Sequence, residues 1–64
     1  MKVLYEALYS HYKISGFKSL EQKNGVYYVF ESEKNLTRNE AVTLRNELNN
    51  DFHNGYIHQA IISG

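Results

Sequence analysis

Asn24-Gly25-Val26-Tyr27-Tyr28-Val29-Phe30, followed after a polar connection by Thr37-Arg38-Asn39-Glu40, is the stretch on which the fold class turns. Asn-Gly suits the two central positions of a type I′ turn, where φ must be positive. The β-branched and aromatic run behind it favours a strand. Alternation puts Val26, Tyr28 and Phe30 on one face and Tyr27, Val29 and Glu31 on the other. The first set is wholly apolar and the second mostly so, the pattern of a strand buried on both sides. Thr37 and Glu40 then form a capping box: the Thr hydroxyl accepts from the Glu40 N–H, and the Glu carboxylate accepts from the Thr37 N–H. Ala41, Leu44, Leu48 and Phe52 follow helical spacing as a buried stripe, with Arg38, Arg45, Glu47 and Asn49 turned to water. Asn54-Gly55 ends that helix, and residues 56–62 make a last, two-faced strand.

Upstream, residues 17–22 pair with residues 26–32 across the Asn-Gly turn. In residues 1–14, Met1, Leu4, Tyr5, Leu8, Tyr9 and Tyr12 fall on one helical face, with Lys2, Glu6, Ser10 and Lys13 opposite. Leu, Glu and Ala favour helix, and Ser15-Gly16 offers a stop. Read as a strand, one face would be Leu4, Glu6, Leu8, Ser10 and Tyr12, the other Val3, Tyr5, Ala7, Tyr9 and His11. Neither alternates cleanly. The reading is therefore helix, with a long strand as the alternative. The expected fold is a single small α+β domain over residues 1–64, in the order α-β-β-α-β. It has a three-stranded sheet with both helices on one face. The second and third strands, if neighbours, would be parallel with a right-handed crossover. The other sheet face has nothing in this chain to cover it.

The hairpin, acidic connection, helix and final strand from Asn24 onward resemble the second half of an RNA-recognition motif. That family's RNA-stacking strand opens on a basic residue, then Gly, with aromatics at the third and fifth places. Those places hold Asn24, Gly25, Val26 and Tyr28 here, so one stacking aromatic is missing. The family's first strand has no counterpart on this reading. The resemblance implies topology, a split β-α-β sheet lacking its first strand.

Composition narrows the classes further. A chain of 64 residues is one domain, whose core supplies no more than roughly 3–5 kcal/mol. It has no Cys, so neither disulfides nor thiolate metal sites are available. Its six Tyr and three Phe bring large apolar area with polar tips, a composition common at interfaces. Together these favour a homodimer. The formal net charge of zero offers phosphate no long-range attraction, which argues against nucleic acid. No apolar run approaches the roughly 20 residues of a membrane span. The N-terminal residues show no signal-peptide pattern, so the expected location is cytoplasmic.

Catalytic constellations are missing. Ser10-His11 are sequence neighbours that point apart on a helix or a strand. There is no nucleophile elbow, phosphate-cradling loop or paired-carboxylate cleft. Asp51, His53 and His58 match no metal-ligand spacing, and His11 stands apart. No enzyme activity, cofactor or metal is expected. The expectation is a protein-binding module, homodimeric, acting as an inhibitor or adaptor on a partner's surface. In size and style it is similar to small accessory proteins of bacteriophages, several of which inhibit a host enzyme or defence. The candidate partner-binding residues are Tyr27, Tyr28, Val29, Phe30, Tyr56 and His58 from the sheet, and Tyr9 and Tyr12 from the rim of the first helix. The rival readings are a single-stranded nucleic-acid binder using the sheet aromatics, and a structural subunit of a larger assembly.

Overall fold

The structure is a computed structural model and describes residues 1–8, 14–23 and 25–64, with residues 23, 53 and 54 described in backbone only. Its elements are β1 (Lys2–Leu8), β2 (Phe17–Lys23), β3 (Tyr27–Ser32), α1 (Arg38–Asn50), a 3-10 turn (Asp51–Asn54) and β4 (Ile57–Ser63). The four strands form one sheet in the order β2-β3-β1-β4, every neighbouring pair antiparallel.

The expected α-β-β-α-β order and three-stranded sheet are thus overturned. Residues 2–8 are the strand β1 and not a helix, and α1 is the one α-helix among the described residues. The reason lies in where β1 sits. It is a central strand, flanked by β3 and β4. Val3, Tyr5 and Ala7 are buried on one side, and the other side carries Leu4 and Leu8 around Glu6. Apolar residues on both faces erase the period-2 signal, and Met1, Leu4, Tyr5 and Leu8 match helical spacing by coincidence. Packing between two strands then overrides the helix preference of Leu, Glu and Ala. The expected helical residues Tyr9 and Tyr12 lie outside the described residues. β1 is a strand that the reading from Asn24 onward did not include, and it lies in the middle of the sheet.

β3 and β4 are not neighbours, because β1 lies between them, so the condition for a direct parallel pair is not met. Both are antiparallel to β1 and hence parallel to each other, joined by α1. In the same way β1 and β2 run parallel with β3 between them. The sheet is two interleaved split crossovers, the second carrying α1. At the β2–β3 turn Gly25 takes φ +71°, in the left-handed region the turn requires; Asn24 lies outside the described residues. The expected capping box is present: Glu40 N–H donates to Thr37 Oγ1 at 3.2 Å, and Thr37 N–H donates to Glu40 Oε1 at 3.0 Å. That backbone donor holds the Glu40 carboxyl below the usual carboxylate range.

α1 packs on β4 and β1, where Ala7, Ala41 and Ala60 are small enough to let helix and sheet approach. The volume beside it is filled by aromatics. Tyr5 stacks on Phe30 at 4.9 Å between centroids and meets Phe17 edge-on at 5.0 Å. Leu48 and Ile57 complete the buried cluster, with Ile14 and Leu44 packed against it. Phe52 falls outside the expected helical stripe: it belongs to the 3-10 turn and is 49% exposed. At the start of β1, the buried Ser32 hydroxyl accepts from Val3 N–H at 3.0 Å and donates to the Lys34 carbonyl at 3.3 Å. Met1 and Leu36 exchange two further hydrogen bonds beside it.

Asn49 is exposed, as expected, and its side chain also reaches the outer edge of β4. Its amide donates to the Ala60 carbonyl at 3.3 Å and accepts from the Ala60 N–H at 3.0 Å. A side chain stands where a further strand's peptide group would pair, and so blunts that edge. Asn49→Ala is expected to cost on the order of 1 kcal/mol and to speed hydrogen exchange at the Ala60 amide. Unchanged exchange at that amide would show that Asn49 does not guard the edge.

Candidate functional site

The face of the sheet opposite α1 is set by register. Residues paired across strands point to the same side, so three rows can be read directly. The first runs Lys18, Glu31, Leu4, Ile61 across β2, β3, β1 and β4; the second runs Glu21, Val29, Glu6, Gln59. The third brings Tyr27 opposite Leu8 and, through ring contact, beside His58 at 5.3 Å. No described α-helix covers these rows, since the buried residues of α1 belong to the core on the other side. A groove of about 200 Å³ lies in the middle, lined by Leu4, Glu6, Glu21, Val29, Gln59 and Ile61. It is smaller than a drug-sized pocket, which needs about 300 Å³ or more. Its walls are aliphatic, with two carboxylate side chains among them.

Two bulges shape this face. Between Glu6 and Ala7 the β4 partner moves from Gln59 to Ile57, which leaves His58 as the extra residue. Ile57 and Ala60 stay buried while His58 and Gln59 are both exposed. Strict alternation would turn one of that pair inward, and the bulge allows His58 to sit beside Tyr27. In β2 the register moves between Ser19 and Glu21, and the extra residue, Leu20, is 47% exposed. That irregularity and Lys18 disfavour pairing along the β2 edge, as Asn49 does along the β4 edge. Lys18 Nζ reaches Glu31 Oε1 at 3.8 Å, a surface ion pair whose worth is about 0–1 kcal/mol.

The expected partner-binding residues divide. Tyr27, Val29 and His58 stand together on this open face. Tyr56 is 40% exposed where the chain enters β4, and its carbonyl accepts from Leu8 N–H at 3.1 Å. Tyr28 faces the helix side and packs against the core, and Phe30 is 2% exposed beneath it. Phe30 is core, and Tyr28 is half-buried on the helix side of the sheet. Tyr9 and Tyr12 lie outside the described residues. Tyr28, the aromatic that carried the RNA-motif resemblance, thus lies on the helix side, and the open face of β3 and β1 holds Tyr27, Val29, Glu31, Leu4 and Glu6. Leu4, Glu6, Glu21, Gln59 and Ile61 were not among the expected residues. The alternative of a long strand over residues 1–14 sets Leu4 and Glu6 on one face and is the signal for those two.

Among the described residues no cluster of three or more His, Asp or Glu side chains could hold a metal ion. Among them, too, no helix is long and apolar enough to cross a membrane. Comparison with protein-family models, with curated proteins and with solved structures finds no match for this chain.

Proposed function

We propose that this chain is a non-catalytic protein-binding module that acts in the cytoplasm by docking a partner on the open face of its sheet. One observation carries the reading. Leu4, Val29 and Ile61 line a groove on a sheet face that no described helix covers, while Asn49 occupies Ala60 on the β4 edge and a register shift interrupts β2. A partner therefore meets side chains and not an unpaired strand. As an inhibitor or adaptor, the protein needs no chemistry of its own beyond occupying that surface.

The Tyr27–His58 pair supports a second reading, stacking of a single-stranded nucleic acid on the same face. Glu6 and Glu21 in the middle of the face disfavour a phosphate backbone there, and Glu31 is paired with Lys18 beside them, which supports the protein-binding reading. Low-salt binding of a labelled oligonucleotide, lost on Tyr27→Ala, would transfer the face to nucleic acid.

The test of the protein-binding reading is a pair of surface variants used as baits in the source cell. Ile61 is 46% exposed, so Ile61→Lys is expected to change stability by no more than about 0.5 kcal/mol. The protein recovered with the unaltered chain is expected to be lost with Ile61→Lys and kept with Thr43→Lys on the outer side of α1. Equal recovery with both baits would remove this face from consideration.

A further inference from the structure

The two edge strands of the sheet differ in what they carry. β2 holds Lys18, Glu21 and Lys23 within seven residues, and its register shifts at Leu20. Charges and bulges of this kind keep a neighbouring strand away. β4, at the opposite edge, has no Lys, Arg, Asp or Glu, no Pro and no Gly between Ile57 and Ser63. An uncharged run rich in Ile and free of Pro is the composition that pairs with copies of itself. The bulge of β4 lies at His58, near its start, and leaves residues 59–63 in regular register with β1.

Asn49 shows which backbone groups of β4 face away from β1. Its side-chain amide donates to the Ala60 carbonyl and accepts from the Ala60 N–H. The Ala60 groups therefore point outward, and by alternation so do those of Ile62. A donor and an acceptor offered to one residue are what the facing residue of an antiparallel strand supplies. Among the described residues, Asn49 is the side chain that bonds to this edge. We infer that the outer edge of β4 is a self-association site held closed by Asn49, and that its occupant is a second copy of this chain, paired antiparallel, β4 to β4, about Ala60. In that pairing each Ala60 exchanges both hydrogen bonds with Ala60 of the second copy. Gln59 of one copy then lies opposite Ile61 of the other, on the same sheet face. No like charges meet, because the strand has none. The second copy and the Asn49 amide compete for the same two groups, so the closed form is the monomer. This edge is separate from the groove on the open face and does not depend on what docks there.

The experiment is sedimentation velocity on the full chain from micromolar to millimolar concentration, with amide hydrogen exchange on the same samples. Asn49→Ala removes the competitor, so its dimer is expected to be roughly tenfold tighter than that of the unaltered chain. In the variant the Ala60 and Ile62 amides are expected to exchange fast when dilute and to slow as concentration rises, while the β2 amides keep one rate. Gln59 is exposed, and Gln59→Lys added to Asn49→Ala is expected to return the chain to monomer by charging the edge. Equal association of Asn49→Ala and the unaltered chain, with far-UV circular dichroism unchanged, overturns the role of Asn49. A dimer whose slowed amides lie on β2 or around the groove, or one that Gln59→Lys leaves intact, overturns the β4 edge. If Asn49→Ala does not fold, Asn49→Ser, whose hydroxyl is too short to span both Ala60 groups, is read by the same outcomes.

Discussion

Tyr5→Ala is expected to unfold the protein at room temperature. Tyr5 lies on the central strand, is 1% exposed, and holds Phe30 and Phe17 together from its two sides. Truncating a buried aromatic costs about 3–5 kcal/mol through lost transfer energy and the cavity left behind. A domain of this length has roughly that much stability in total. The neighbours cannot close the gap cheaply, since the Tyr5–Phe30 stack belongs to paired strands held at fixed spacing. Far-UV circular dichroism should show the strand signal lost and no cooperative melt. A Tyr5→Ala protein that melts cooperatively within a few degrees of the unaltered chain would mean that the core is not organised around this ring. Tyr5→Phe, which keeps the ring, should fold.

The same residue makes the protein sensitive to alkali. Burial pushes the Tyr5 phenol from 10.0 up to about 12, with the nearby Ile14 backbone pulling it back in part. The folded state therefore keeps the proton that the unfolded chain gives up first. Below pH 10.0 Tyr5 adds no pH dependence; between pH 10.0 and about 12 stability falls as pH rises. Across that window the loss is roughly 2–3 kcal/mol. On a domain this small, such a loss is enough to populate the unfolded state. Denaturant midpoints measured from pH 8 to 12 for the unaltered chain and for Tyr5→Phe isolate the effect, because the two proteins differ only in that hydroxyl. Parallel curves for the two proteins would show that the phenol is not confined in the folded state.

The parts of the fold that could be read in advance were those held by contacts close in sequence. The Thr37–Glu40 box spans one helical turn, and the Gly25 turn joins adjacent strands; each is complete within a few residues. β1 could not be read this way. Its identity depends on partners far along the chain, Phe30 across β3 and Ala60 across β4. The candidate site shares that dependence. Tyr27 and Val29 could be placed on one face of their strand by alternation. Nothing local said whether that face or the one with Tyr28 and Phe30 would receive the helix. His58 owes its direction to a bulge, and Asn49 its role to an edge strand formed eleven residues later.

What the amino-acid order determined by itself was the hairpin turn, the strand after it, the capped helix, and a neutral, cysteine-free composition. Each rests on short-range sterics, local hydrogen bonding or simple counting. The tertiary structure alone decided that residues 2–8 form the central strand, that Phe30 is core and Val29 is surface, and that Glu6 and Glu21 flank one groove. Side-chain environment in a sheet is set by which strands lie alongside, and pairing between distant segments follows from burying the whole apolar surface at once, not from the preference of any one segment.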